Sequence, residues 1–387
     1  MSISRFAISA IFFVNGFILA SWVARIPAVS QRLELSSAQL GIALLGMAVG
    51  ALLAFPVTGY LIARFSSAQV TTAFGLALGL TLPLLAAAPN LPLLFFSLML
   101  FGSSNGGMDV AMNAQGVEVE KTLDKPILNS LHGFFSLGGL VGASLGGGIA
   151  ALGVGPLTHF LTVTVVALGA IFWLGGRLLP DAPQETQTAA PVFALPPRAL
   201  WGLGVVAFCA ASGEGAMADW SALYLHESLG TTTGLAALGY AAFSLTMLIG
   251  RFSGDFLVTR FGPAVIVRAG GAVAATGLAA GLLLGTPVAA IFGFGAVGLG
   301  LSVIVPLVFS AAGYHSEIPR GTAVAAVATM GYSGFLVGPP LLGWLAQLSS
   351  LRLALFVIVL LGALIVVLAP AARRESPSAQ RVRQTTP

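Results

Sequence analysis

Residues 105 to 113 read NGGMDVAMN, a run that sets Asn105, Asp109 and Asn113 at i, i+4 and i+8 inside an otherwise apolar stretch. On a helix that spacing gathers the three side chains on one slowly drifting face. A carboxylate between two carboxamides can hold and release a proton, while the amides donate to and accept from hydroxyl groups. A second stretch, GEGAMADW at 213–220, places Glu214 and Asp219 five residues apart. Five residues turn a helix by about 140°, so the two acids are expected to face different ways, Glu214 deep inside and Asp219 toward the helix end.

The elements that must carry these acids follow from composition. Of 387 residues, 57% are hydrophobic and 8% are charged, against about 25% charged in soluble domains. Such a chain cannot cover a water-facing surface, so its solvent is largely lipid. The net charge is +4, but the basic residues are scattered, which leaves no basic face for nucleic acid. Cys209 is the single cysteine, and His132, His159, His226 and His315 lie far apart without an HExxH pairing. No disulfide, metal or other cofactor is expected. The glycine-rich runs are not followed by Gly-Lys-Ser/Thr, so no phosphate loop is implied.

A membrane-spanning helix needs about 20 mostly apolar residues. Twelve runs qualify: Phe6–Val23, Leu40–Ile62, Val70–Ala88, Leu91–Gly116, Leu131–Leu152, Leu157–Leu179, Leu200–Leu225, Leu235–Val258, Val265–Leu284, Val288–Ala312, Ala323–Leu348 and Leu353–Ala369. They must be helices, because lipid offers the backbone no hydrogen-bond partners. The N-terminal run is read as the first span and not as a signal peptide, since polar Asn15 interrupts it and more spans follow at once. Lys and Arg fall mostly on one side, at Arg5, Arg64, Lys121, Lys125, Arg177, Arg198, Arg260 and Arg268 among others, and only Arg25, Arg32 and Arg352 fall on the opposite side. By the positive-inside rule both termini are cytoplasmic. The Pro-, Thr- and Gln-rich stretch at 180–198 reads as a cytoplasmic linker between an N-terminal half, 1–179, and a C-terminal half, 199–372, with a tail at 373–387.

The halves repeat each other. An offset of 196 superposes Gly138, Leu140, Val141, Gly142, Leu145, Gly147 and Ala150 on Gly334, Leu336, Val337, Gly338, Leu341, Gly343 and Ala346. The same offset sets Gly102 on Gly298 and RFS at 64–66 on RFG at 260–262, while ASW at 20–22 matches ADW at 218–220. Six spans per half make the repeats parallel, related by an axis along the membrane normal. The expected fold is therefore an all-α polytopic membrane protein of twelve helices, in two parallel-related halves around a central cavity.

Over nearly its whole length the chain resembles the major facilitator superfamily, through GDFLVTRFG (254–262), GLGLSVIVPLVFSAAG (298–313) and VATMGYSGFLVGPPLLGWLA (327–346). The Asn105–Asn113 motif and GEGAMADWSALYL (213–225) are similar to the fucose/proton symporter-like and YbjJ-like bacterial branch. Departures exist. The loop between spans two and three keeps Arg64 but has Ala63 where the family places Asp, whereas the second copy retains Arg251, Asp255 and Arg260. Span five resembles an antiporter signature, with Ala143 in place of its Pro, and a Pro appears only in span eleven, as Pro339. The resemblance implies a secondary transporter of the bacterial inner membrane that rocks about a central site and acts as a monomer. It also implies an inner gate network of Arg64, Arg251, Asp255 and Arg260, and an Arg25–Asp219 pair closing the outer gate where spans one and seven meet.

A charge at mid-bilayer costs about 2.5–3.5 kcal/mol on insertion scales. At the 196 offset Asn105, Asp109 and Asn113 fall on Leu301, Val305 and Phe309, so the fold itself does not need polar groups there. Glu214 falls on Gly16 at an offset of 198. These comparisons assign Asp109 and Glu214 to proton coupling; the competing reading is a pair of buried acids that fix helix register. Substrate contacts are expected from Asn105 and Asn113, with Asn15, Trp22, His132, Phe135, Tyr240, Tyr332 and Trp344 as lining candidates. Proton-coupled uptake of a small polar, sugar-like solute fits this set, and proton-driven efflux of a drug or metabolite is the alternative. No nucleophile–base pair, nucleotide-binding module or soluble signalling domain is recognisable, so enzyme, ATP-driven pump and sensor fit less well.

Overall fold

The computed structural model describes residues 3–123, 127–180, 197–313 and 320–372, except the side chains of Pro56, Ala63, Lys121, Asn129, Asp255, Arg320, Thr322, Val324 and Ala325. Nearly all of the predicted linker and the whole predicted tail lie outside the described residues. The helices are α1 (Ile3–Val23), α2 (Ile26–Arg32), α3 (Ser37–Phe65), α4 (Ser67–Ala87), α5 (Leu91–Leu123), α6 (Leu128–Ala151), α7 (Pro156–Gly175), α8 (Trp201–Leu223), α9 (Thr233–Phe261), α10 (Pro263–Leu284), α11 (Pro287–Leu301), α12 (Ile304–Gly313), α13 (Arg320–Leu348) and α14 (Leu351–Leu368). Eleven described segments are long and apolar enough to cross a membrane, and α13, with 29 residues, supplies the remaining predicted span. Large apolar side chains such as Phe172, Phe292 and Leu360 face outward, as a lipid solvent allows.

Three features depart from the expected spans. A short amphipathic helix, α2, follows α1, and a π-helical turn, Tyr224–Ser228, ends the seventh span. The tenth span is broken between α11 and α12. Pro306 lies just beyond that break; it has no N–H for the carbonyl four residues back, and its ring crowds that carbonyl. At the 196 offset the position holds Val110, and α5 runs unbroken through it.

The two halves are the same packing twice. In the first, α1 packs on α6, α3 on α5, and α4 on α5 and α7; in the second, α8 packs on α13, α9 on α11, and α10 on α11 and α14. The equivalence reaches single contacts. A side chain on Gly102 would strike the Met47 carbonyl, and one on Gly298 would strike the Phe243 carbonyl, the same pair 196 residues on. Ser36 accepts from Gln39 N to cap α3, and Thr232 accepts from Leu235 N to cap α9. The turns after α3 and α9 pass through Ser66 at φ 127° and Gly262 at φ 81°. Glycine adopts such a φ freely and serine does so at a cost.

The halves meet along α3–α13 and α6–α9. At the end of the bundle that carries Arg25, Gly41 approaches Gly343 and Pro339, and Gly147 approaches Gly234 and Ala237, so closely that a side chain on any of these four glycines would collide. Small residues let helix backbones come this near. The arginines of that end serve the backbone. Arg32 donates to the carbonyls of Ala86 and Ala88 at the end of α4, and Arg352 donates to Leu283 O, 2.9 Å away, at the end of α10. Cations suit helix C-termini, where carbonyls lack partners.

Candidate functional site

Between the halves lies a central cavity of about 260 Å³. Its wall takes Trp22 from α1, Met47, Ala51 and Phe55 from α3, Asn105 and Asp109 from α5, and Phe135 and Ser136 from α6. The second half adds Glu214 and Asp219 from α8, Tyr240, Phe243, Ser244 and Arg251 from α9, and Tyr332 and Phe335 from α13. Helical spacing explains the selection on α9: positions 240, 243, 244, 247 and 251 form one face. Phe55 and Tyr332 meet across the α3–α13 seam, ring centroids 5.1 Å apart.

On α5 the three polar residues do not act alike. Asn105 and Asp109 reach the cavity, whereas Asn113 does not line it. Asn113 Nδ2 donates to the Asp109 carboxylate at 3.2 Å and to its backbone carbonyl at 2.9 Å. That commits Asn113 Oδ1 to accepting, so His132 Nε2, 3.1 Å away, carries the hydrogen and donates. Asn15 is likewise off the wall. It is buried between α1 and α5, donates to Asn105 Oδ1 at 3.2 Å and contacts Met108 Sδ. Asn105 therefore keeps its NH₂ group for the cavity. Asn15 and Asn113 position the residues that line the site.

Arg251 joins the two halves at the same level. From α9 it donates to the Ser136 hydroxyl at 2.9 Å and to the His132 carbonyl at 3.2 Å, both on α6, and it pairs with Glu214 of α8 at 3.9 Å. It lies within electrostatic reach of Asp109 as well. A run of contacts thus links Asp109, Asn113, His132, Arg251 and Glu214 from the first half to the second, entering His132 at its ring and leaving it at its backbone carbonyl.

A family model described as Major Facilitator Superfamily matches residues 2–319. The chain belongs to the major facilitator superfamily. It is 38% identical over 367 residues to the uncharacterised transporter y4wD of Sinorhizobium fredii, covering 94% of this chain and 96% of that protein. In structure it is similar to a bacterial homologue of the human lysosomal transporter Spinster in an inward-facing, occupied conformation, with a TM-score of 0.75 at 16% identity over 97% of this chain and 100% of that one. It is also similar to the fucose/proton symporter FucP in its outward conformation, with a TM-score of 0.65 at 17% identity over 95% and 98% of the two chains. The relatives and the family make this chain a polytopic membrane transporter.

Against the family pattern, three expectations need correction. Arg251, expected in an inner gate network, stands on the cavity wall with Glu214. The α9 spacing carried that signal, but the loop motif drew the residue toward the gate. Glu214 and Asp219 both line the cavity, despite the angle between them, together with the small residues Gly215 and Ala218 that stand between them. The Arg25–Asp219 pair is not formed. Arg25 is buried, and it donates to Val154 O at 2.8 Å and to His159 Nδ1 at 3.2 Å. It ties α1 to the α6–α7 turn and to α7, within one half.

Other expected residues lie away from the cavity. Arg64 donates to Tyr60 OH at 3.2 Å, and Arg260 lies over the Phe261 ring, 5.6 Å from its centroid. Both stand at the last turns of α3 and α9, at the end opposite Arg25. The side chain of Asp255 lies outside the described residues. Trp344 is exposed on the bundle surface. Ser136, Phe55, Phe243 and Phe335 are wall residues that the sequence reasoning missed, because small and apolar side chains on apolar helices carry no local sign of facing a cavity.

Proposed function

We propose that this transporter takes up a small polar, sugar-like solute together with protons, by alternating access, across the bacterial inner membrane. In this reading it is a monomer, both termini are cytoplasmic and the Arg25 end faces outward. The single observation that carries the reading is the polar chain from Asp109 to Glu214. Arg251 contributes a cation held at once by both halves. When the halves rock, its bonds to α6 are lost and its distance to Asp109 changes, while Glu214, in the same half, stays beside it and takes a larger share of the guanidinium. Loss of a neighbouring cation favours the protonated form of a carboxylate, and its return favours the anion. The proton affinities of Asp109 and Glu214 would thus differ between the two openings, so that protons bind with the site open to one side and leave on the other. The free amide of Asn105 and the aromatic faces of Phe135, Tyr240 and Tyr332 would receive the solute.

The cavity lies just under the range of about 300–1,000 Å³ common for drug-sized ligands, which favours a small solute. A second reading, proton-driven efflux, draws on the wall's aromatic and aliphatic majority, which also suits lipophilic molecules. The deciding experiment uses proteoliposomes with an imposed pH gradient. Solute accumulation against its gradient on the alkaline side, lost in Asp109→Asn, supports uptake with protons. Movement of solute opposite to the proton gradient supports efflux. Movement indifferent to pH in both proteins refutes proton coupling.

A further inference from the structure

The cavity wall holds three carboxylates, Asp109, Glu214 and Asp219, and one guanidinium, Arg251. Two of the acids have partners. Glu214 pairs with Arg251, and Asp109 accepts from Asn113. Among the described residues nothing hydrogen-bonds or ion-pairs with Asp219, and the expected partner, Arg25, is committed to Val154 and His159. An unpaired carboxylate on a largely apolar cavity wall is costly. A proton would remove its charge but leave a hydroxyl without an acceptor.

The surroundings of Asp219 point to what completes it. Tyr240 lies within electrostatic reach of it, and the rings of Tyr240 and Phe243 stack on the same wall with centroids 5.6 Å apart. Aromatic faces attract organic cations.

We infer that the transported solute carries a positively charged amine, and that Asp219 is its counter-ion. The inference rests on the reading of this cavity as the transport site and narrows its substrate class. The three acids then have separate roles. Asp219 recognises the cargo, while Asp109 and Glu214 share the charge relay with Arg251.

The test is binding to the purified full-length protein, by thermal shift and calorimetry, of matched pairs that differ in the amine: glucosamine and glucose, tyramine and 4-hydroxyphenethyl alcohol, cyclohexylamine and cyclohexanol. The expected result is that the amine of at least one pair binds and its neutral partner binds about tenfold or more weakly. Asp219→Asn removes that preference, and Asp219→Glu keeps it. The inference is overturned if no amine outbinds its neutral partner, or if Asp219→Asn binds the amine as the wild type does. Should Asp219→Asn fail to fold, loss of the preference in Asp219→Ser with retention in Asp219→Glu carries the same weight. Amine preference through Asp219 without pH-driven movement would sustain this inference and sink proton coupling. Proton-driven movement of neutral sugars, indifferent to Asp219→Asn, would do the reverse.

Discussion

Arg251 Nη1 of α9 and the Ser136 hydroxyl of α6 lie 2.9 Å apart across the seam between the two halves. The same guanidinium reaches the His132 carbonyl and the Glu214 carboxylate, so one side chain touches two other helices, α6 and α8, from its own. Arginine does this through a planar fork of donors, which the point charge of lysine cannot reproduce. Arg251→Lys is expected to lower the initial rate of solute movement in proteoliposomes by about tenfold or more while leaving the protein folded. Ser136→Ala, which removes one of the contacts, should cost less. Equal rates in wild type and Arg251→Lys would mean that the fork has no part in the cycle.

Asp109→Asn keeps the shape of the side chain and removes its ability to exchange a proton. Wild-type accumulation should rise as the solute-donor side is acidified, because protons then drive the same movement. In Asp109→Asn that pH dependence should vanish, and exchange of labelled for unlabelled solute at equal pH should persist. Unchanged pH-driven accumulation in the variant would assign the carboxylate to packing.

Arg25 and Asp219 should behave as strangers. Arg25→Ala leaves Val154 O unmet and is expected to destabilise the protein by about 1–3 kcal/mol. Combining it with Asp219→Ala should add the two single effects within about 0.5 kcal/mol. A larger coupling in a double-mutant cycle, read from thermal or denaturant unfolding in detergent, would restore the pair that the sequence suggests.

Gly102→Ala and Gly298→Ala should both lower the unfolding temperature, and by similar amounts, since each drives a methyl into the carbonyl of the same partner position, Met47 or Phe243. Overpacking of this kind costs about 1–3 kcal/mol. Gly148→Ala, which meets no atom within 4 Å, serves as the neutral control. A drop for one of the pair alone would show that the two halves do not bear the same load at these crossings.

Much of the architecture was legible in the chain. Long apolar runs can be only helices in lipid, and the glycines that superpose at an offset of 196 turned out, Gly338 excepted, to be points of close helix approach. The break between α11 and α12 was less visible, because Pro306 sits in a run that hydropathy alone reads as continuous. At the site, charge inside an apolar helix located Asp109 and Glu214, whereas Asp219 was expected at the outer gate. Periodicity could say which helix face they share but not which face the partner helices cover. That is why Asn113 and Asn15, equally polar, turned out to position their neighbours; Arg251 was expected at a gate for another reason, the loop motif that it shares with Asp255 and Arg260. The Arg25 pairing failed for a related reason. Arginine near a helix end has many carbonyls within reach, and nearby backbone competed with a carboxylate on another helix.

The seam at the Arg25 end has a consequence for how the molecule moves. Gly41 against Gly343 and Gly147 against Gly234 are contacts of backbone on backbone. These glycines bring no side chain that must find a new rotamer when the faces part. Such a joint works as a smooth bearing: what holds it is dispersion between two flat tracks, which falls off within an ångström or so of separation. The latch is therefore elsewhere, in the bonds of Arg251, and the glycine tracks set how easily the halves glide once that latch lets go.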